Sequence, residues 1–133
     1  MGQYHLLVNY DKKECVEPYG LGLGAKQVEQ LGEFKGTLAD AMYLLVMTSP
    51  ARGGGDLPRT SVSGRWAGDR VMIVGDYTED SDVPSIPQAS YLYGNEYTDI
   101  SNEVAEALQV AFGRDVREST WHPENEERKG MYA

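Results

Sequence analysis

The chain has 133 residues, which is the size of one domain, and 41% of them are hydrophobic, a fraction typical of globular proteins. Its formal net charge of −9 disfavours binding to nucleic acid and to anionic membranes, because both are polyanions. The one cysteine, Cys15, cannot form an internal disulfide. No apolar run approaches the length of about 18 residues that a membrane span needs. We therefore expect a cytoplasmic protein that makes no membrane contact.

A strand and one clear helix are predicted in the first fifty residues. The segment QYHLLVNY, residues 3–10, is dense in β-forming residues around an apolar centre. A polar turn is predicted over residues 11–20, and a short helix around residues 25–31 is one interpretation of an ambiguous stretch. A longer helix is predicted between residues 36 and 50, with Thr37 and Asp40 close to a capping box and Pro50 as its stop.

A β-hairpin and a final helix are predicted in the rest of the chain. The hairpin has a strand near residues 62–66, a turn at residues 67–69 and a second strand from residue 70. Because residues 70–74 are nearly continuously apolar, the second strand is expected to be central in its sheet. An acidic loop follows over residues 78–88, and a strand is predicted on one or both sides of residues 94–95. The last helix is capped by Asp99 or Ser101 and ends at Gly113.

Together these elements predict an α+β fold, in which a mainly antiparallel sheet of about four strands packs with two or three helices. Residues 1–113 are expected to form a single α+β domain. Residues 114–133 are charged and weakly patterned, so a charged C-terminal tail is predicted there.

Positive and negative side chains are segregated along the chain. Residues 52–70 contain four arginines and only two acids, whereas residues 71–113 contain eight acids and no lysine or arginine. Arginines beside glycines can present a planar fork to a phosphate or carboxylate. The other interpretation is that these arginines pair with the protein's own acids.

The motif RGGGD at residues 52–56 is a candidate anion site, because consecutive glycines let backbone N–H groups converge on a phosphate. It lacks the lysine and the serine or threonine of a Walker motif, and Asp56 would repel a phosphate. A connecting loop is therefore the alternative. The candidate ligand-binding residues are Arg52, Gly53, Gly54, Gly55, Arg59, Arg65 and Arg70.

Signals for catalysis and for metal binding are weak. The two histidines, His5 and His122, lie at opposite ends of the chain, and the acidic loop lacks the spacing of a calcium-binding EF-hand. No nucleophile motif accompanies them. Neither catalytic residues nor a metal site nor a cofactor is predicted.

Four motifs occur in order along the chain. They are MGxYxxxVNxDKxE at residues 1–14, RGGGD at residues 52–56, GxWAGDRxxxxGDY at residues 64–77 and YTDIS at residues 97–101. With these motifs the chain resembles a group of small proteins from bacteria and their phages, over most of its length up to residue 113. It departs from that pattern at Tyr10, where a leucine is usual. The resemblance implies a cytoplasmic accessory protein, in some cases phage-borne, and assigns no catalytic residue.

The main hypothesis is a non-enzymatic accessory protein that acts on a protein partner or on itself as a homo-oligomer. It is motivated by nine tyrosines, which are enriched at interfaces, by the segregated charge and by the missing catalytic set. The alternative is a binding module for a small anionic ligand, such as a nucleotide or a phosphorylated metabolite, at the arginine- and glycine-rich centre.

Overall fold

The computed structural model describes residues 3–24, 26–31, 36–92 and 96–113. Its strands are β1 (His5–Asn9), β2 (Glu14–Val16), β3 (Val71–Gly75) and β4 (Thr98–Asp99), and its α-helices are α1 (Gln27–Gln30), α2 (Leu38–Val46) and α3 (Ser101–Phe112). Short 3-10 helices occupy Pro18–Leu21, Asp80–Asp82 and Ala89–Leu92. None of the helices in these described ranges has the length and apolarity needed to cross a bilayer.

The four strands form one sheet in the order β3-β1-β2-β4. β1 is antiparallel to both of its neighbours, and Leu7 lies opposite Val16 of β2 and Ile73 of β3. β4 pairs with β2 in parallel, with Cys15 opposite Asp99. This mostly antiparallel sheet with three helices confirms the predicted α+β fold.

Each face of the sheet has its own apolar cluster, because side chains alternate between the two faces along a strand. Leu7 points to the face that carries α2, α3 and the fully buried Trp66. Leu6 and Val8 point to the opposite face, where they pack with Leu92. The segment between β3 and β4 therefore covers the face that the helices leave open.

The two longer helices begin and end close to the predicted residues. The hydroxyl of Thr37 accepts a hydrogen bond from the Asp40 backbone N–H (3.4 Å), and the Asp40 carboxylate accepts one from the Thr37 N–H (3.2 Å), which is the expected capping box. α3 begins at Ser101, whose N–H donates to the Asp99 carboxylate (2.8 Å). It ends at Gly113, where φ is 76°.

The prediction of a first hairpin strand near residues 62–66 is wrong. Residues 61–68 form turns that lie against the C-terminal end of α2. The Gly64 N–H donates to the carbonyl of Leu44 (2.9 Å), and the Trp66 N–H donates to that of Leu45 (2.8 Å). These carbonyls belong to the last turn of α2 and have no partner within the helix. Tertiary hydrogen bonds thus override the local strand propensity around Val62.

The second strand exists as β3, but the prediction that it is central is wrong. Among the residues that the structure describes, β3 pairs with β1 alone and forms one edge of the sheet. Its apolar run arises because Val71 packs against one core cluster and Val74 is buried in the other. A short edge strand that contacts a core cluster on each face therefore has the same apolar pattern as a central strand.

The sequence does not predict β2, because a three-residue strand that follows a polar turn has too short a pattern to recognise. Its three residues include the charged Glu14, and the turn before it holds Lys13 at a φ of 59°. Of the strand predicted around residues 94–95, only β4 is found on the C-terminal side, and residues 89–92 form a 3-10 helix on the other side. The predicted tail, residues 114–133, lies outside the described residues.

Candidate interaction surface

The four candidate arginines do not converge on one point. Arg65 forms an ion pair with Glu14 of β2, and the Arg70 guanidinium donates to Asp11 in the turn after β1 (Nε–Oδ1 3.0 Å). The Arg59 guanidinium donates to the backbone carbonyl of Pro50 (3.4 Å), and Arg52 is exposed. Two of the four arginines are thus paired with the protein's own acids.

The N–H groups at the start of the glycine-rich loop are bound by the loop's own carboxylate. Asp56 Oδ2 accepts hydrogen bonds from the backbone N–H of Arg52 (3.1 Å) and of Gly53 (2.9 Å). The turn closes through Gly55, whose φ of 86° is left-handed. Gly54 has no atom within 4 Å of an added Cβ and lies in open space. Anion binding at these residues stays a prediction, with Asp56 in the place that an anion would take.

A groove of 640 Å³ lies beside this loop, between α2 and the end of α3. Its lining includes the carboxylates of Asp40 and Asp56, together with Tyr43, Leu57 and Phe112. Two carboxylates at its wall disfavour an anionic occupant by like-charge repulsion. The segregated charge of the sequence therefore does not produce a basic pocket here.

Glu14 is a buried carboxylate that the sequence did not single out as a candidate functional residue. Its carboxylate, in a residue only 8% exposed, accepts hydrogen bonds from Trp66 Nε1 (2.8 Å) and Arg65 Nε (3.1 Å). The Arg65 hydrogen bonds hold the pKa of the Glu14 carboxyl below its ordinary value, against the opposing effect of burial. Arg65 also reaches Glu103 of α3 (3.2 Å). The cluster ties three distant segments together and is fully paired, so we assign it a structural role.

A second paired cluster fixes the turn before β3. Asp69 accepts hydrogen bonds from Asn9 Nδ2 (2.9 Å) and from Lys12, and the bond from Lys12 is the main cause that lowers the pKa of Asp69. The sequence contains Asp11-Lys12 and Gly68-Asp69-Arg70, but these two motifs do not predict which side chains form the cluster. In the part of the chain that the structure describes, no group of three or more histidine, cysteine or acidic side chains could hold a metal ion.

A cavity of 260 Å³ lies next to β1 and is lined in part by Tyr4, His5, Glu17 and Tyr19. His5 Nδ1 is buried and has no hydrogen-bond partner among the described residues. Among the described residues, the lining includes one imidazole and one carboxylate but no serine, threonine or cysteine, so it offers no side chain of the kind that a histidine most often activates.

The outer edge of β3 is the feature that sequence reasoning missed. In the antiparallel pair with β1, the Tyr10 N–H donates to the Arg70 carbonyl and the Asp76 N–H donates to the Tyr4 carbonyl, each at 2.9 Å. Since hydrogen-bonded positions alternate along a strand, the backbone groups of Val71 and Ile73 point away from β1.

The outward-pointing groups of β3 differ in how they are satisfied. The Gly75 N–H donates to Thr78 Oγ1 (3.0 Å), and the Gly75 carbonyl accepts from the Thr78 N–H (3.0 Å). For Val71 and Ile73, no hydrogen bond to the outward N–H or C=O is formed within residues 3–24, 26–31, 36–92 and 96–113. We call these four backbone groups, with the side chain of Ile73, the open edge.

The open edge is apolar and lacks the usual protection of an edge strand. Ile73 is 48% exposed, and the strand VMIVG contains no charge and no proline. Natural edge strands normally carry such residues because unpaired backbone groups attract other strands. The strand is bounded by opposite charges, Arg70 before it and Asp76 after it, and the exposed Tyr77 follows. The arrangement can accept a further β-strand.

No protein-family model, no curated protein and no solved structure matches the chain. The resemblance to small bacterial and phage proteins therefore stays a prediction that rests on the four sequence motifs.

Proposed function

We propose that this chain is a non-enzymatic accessory protein of the cytoplasm that binds a protein by accepting a β-strand at the open edge. The observation that carries this proposal is the set of four backbone groups on an apolar strand, at Val71 and Ile73, that form no hydrogen bond within the described part of the chain. In strand addition, main-chain hydrogen bonds provide affinity and alternate side chains provide specificity. The open edge offers both, because its backbone groups and Ile73 are presented together.

Exposed tyrosines near the edge support the same proposal. Tyr4 is 55% exposed and lies just before β1, where its carbonyl accepts from the Asp76 N–H and extends the pairing with β3. Tyr77 is 59% exposed and lies just after β3. Tyrosine is enriched at protein interfaces because its ring adds contact area at low entropic cost. A strand seated on β3 would therefore meet apolar and aromatic surface at one end of the edge.

The small-anion alternative has less support from the same residues. Arg65 and Arg70 are engaged with Glu14 and Asp11, and the Asp56 carboxylate already accepts from the N–H groups of Arg52 and Gly53. A phosphate would have to displace these internal carboxylates. Strand addition at Val71 and Ile73 would break no hydrogen bond among the described residues.

The test uses the full chain and a synthetic peptide that spans residues 70–76. Amide hydrogen exchange at Val71 and Ile73 is measured across a concentration series of the chain and on addition of the peptide. We expect protection of both amides to rise as the edge is filled, because their N–H groups then enter hydrogen bonds. Unprotected exchange at every concentration, with and without the peptide, would refute the proposal.

A matched pair of variants makes the test specific to the outward N–H group. Ile73→Pro removes an outward donor and the Ile73 side chain but breaks no hydrogen bond to β1, and proline is tolerated at such edge positions. Ile73→Thr keeps the donor and a β-branched side chain. We expect the proline variant to lose the protection of Val71 while keeping the circular dichroism of the folded chain, and the threonine variant to retain it.

A further inference from the structure

We propose that the strand accepted at the open edge is β3 of a second copy of this chain. The two strands would run antiparallel about a two-fold axis, with Met72 beside the partner's Met72. This inference rests on the proposed function and names its partner. It follows from the number of free backbone groups, from the side chains that this register brings together and from the charges at the ends of the strand.

The free backbone groups select both the symmetry and the register. In an antiparallel pair, directly opposed residues at hydrogen-bonded positions exchange two bonds. Placing Val71 opposite the partner's Ile73, and Ile73 opposite the partner's Val71, forms four bonds and satisfies every open group on both chains. Such a contact uses the same surface on both copies, as a two-fold dimer requires.

The neighbouring register satisfies fewer groups. It would centre on Ile73 and place Val71 opposite the partner's Gly75. Because both outward groups of Gly75 are already bonded to Thr78, only the two bonds between the Ile73 residues would form. The Thr78 turn therefore disfavours the register centred on Ile73, whereas the register centred on Met72 satisfies all four groups of the open edge.

The side chains in the favoured register are complementary. Met72 is half-buried and lies at a non-hydrogen-bonded position, where opposed Cα atoms are only about 4.5 Å apart. Its flexible thioether can pack against its own copy without a fixed shape. On the other face, the exposed Ile73 meets the partner's Val71, a β-branched pair of the kind that stabilises neighbouring strands.

Opposite charges meet at both ends of this junction. Arg70 lies on the same face as Met72 and would stand opposite the partner's Val74, one diagonal step from the partner's Asp76. A long side chain spans such a diagonal. The Arg70 side chain is 65% exposed, but its Nε and Nη2 contact Asp11, so pairing with the partner's Asp76 would use Nη1 or replace the Asp11 contact. Asp76 Oδ1 already accepts from the Tyr4 N–H (3.0 Å), which leaves its second carboxylate oxygen for the partner. By symmetry the partner's Arg70 reaches Asp76, so the edge carries the charges that complement its own copy.

The experiment is disulfide trapping in the full chain with Met72→Cys. Disulfides need Cα separations of about 4.4–6.8 Å, a range that the Met72 pair satisfies. Ile73→Cys is the matched control, because in this register it faces the partner's Val71 and not its own copy. The native Cys15 is buried, and burial raises the pKa of its thiol to about 12, so it stays inert during mild oxidation.

We expect the Met72→Cys chain to form covalent dimers at least about tenfold faster than the Ile73→Cys chain, and Ile73→Pro added to Met72→Cys to abolish the trapping. Faster trapping of Ile73→Cys would overturn the register. A chain that stays monomeric in sedimentation, while the peptide of residues 70–76 protects the edge amides, would overturn the second copy as partner and leave strand addition standing. Protected edge amides in a monomer would likewise overturn it.

Discussion

Glu14 shows how a single buried carboxylate organises this fold. It accepts from Arg65 and from the indole of Trp66, and these donors lie on a segment without regular secondary structure. Glu14→Gln removes the charge that these donors face, and we expect it to lower the free energy of unfolding by about 2–3 kcal/mol. Urea denaturation followed by circular dichroism measures this change.

The matched control is the other acidic partner of Arg65. Glu103 pairs with the same guanidinium, but its side chain is 54% exposed. Because exposed ion pairs contribute little, Glu103→Gln is expected to change the unfolding free energy by no more than about 1 kcal/mol. Equal losses in the two variants would contradict the structural role that we assign to Glu14.

The same carboxylate predicts how stability depends on pH. The hydrogen bonds from Arg65 lower the pKa of Glu14 in the folded chain below its unfolded value. Protonation of the unfolded chain therefore begins first as the pH falls, and the contribution of Glu14, complete above the unfolded pKa, is lost as the pH falls through the folded pKa. We expect the acid limb of the stability curve below about pH 5 to be shallower in Glu14→Gln than in the natural chain. Parallel acid limbs would contradict this assignment.

Substitutions at two neighbouring glycines test whether the RGGGD loop has a fixed backbone conformation. Gly55 has a φ of 86°, whereas Gly54 shows no such strain, and neither has an atom near an added Cβ. Gly55→Ala is expected to cost about 1–2 kcal/mol of stability through its left-handed backbone. Gly54→Ala is expected to be neutral or to stabilise by up to about 1 kcal/mol, because alanine restricts the unfolded chain. Thermal unfolding compares the two, and equal effects would mean that the loop has no fixed shape.

At the scale of elements, the charges that bound β3 make a further prediction. Arg70→Glu would place two acids together at each end of the proposed dimer junction, and Asp76→Lys would place two bases there. Each change is expected to raise the dimer dissociation constant about tenfold, given about 0.2–1 kcal/mol for each of two exposed pairs and a similar cost for like charges. The double variant is expected to recover to within about threefold, since it restores opposite charges.

A third variant separates the local pairing from a simple change of net charge. Arg59→Glu changes the charge of the chain by the same amount as Arg70→Glu, but Arg59 donates to the carbonyl of Pro50. Sedimentation equilibrium is expected to show little effect for Arg59→Glu. Equal weakening by both variants, or no recovery in the double variant, would argue against contact between Arg70 and the partner's Asp76.

Elements with local signals could be predicted from the sequence, and elements that depend on distant partners could not. α2 and α3 carry their own caps at Thr37 and Gly113, and β1 carries a dense run of β-forming residues. Residues 61–68 are shaped by the carbonyl groups at the end of α2. The position of β3 at the edge depends on which strands pair with β1, and composition does not encode that choice.

The candidate site follows the same division. Charge segregation in the sequence is real, but the partners of the arginines come from elsewhere: Arg65 reaches Glu14, 51 residues away, and Arg70 reaches Asp11, 59 residues away. The sequence alone predicts that Asp56 would repel a phosphate. The structure adds that the Asp56 carboxylate accepts hydrogen bonds from N–H groups of its own loop. The open edge carried no sequence signal beyond an apolar run that also fits a central strand.

At the scale of the whole molecule, the net charge of −9 opposes self-association and makes it depend on salt. At a separation of roughly 30 Å, two such chains repel by about 11 kcal/mol in unscreened water. Screening reduces this repulsion to about 4 kcal/mol at 0.01 M salt and below about 1 kcal/mol at 0.15 M. The two exposed Arg70–Asp76 pairs lose at most about 2 kcal/mol over the same range.

The relief of repulsion is therefore the larger effect, and added salt should favour the dimer. We expect the dimer dissociation constant to fall about tenfold or more between 0.01 M and 0.15 M sodium chloride, as measured by sedimentation velocity. The Arg70→Glu and Asp76→Lys double variant keeps the net charge, so it is the control that should show the same salt dependence. A dissociation constant that rises with salt would mean that attraction between local charges, and not the strand pairing at Val71 and Ile73, holds the two copies together.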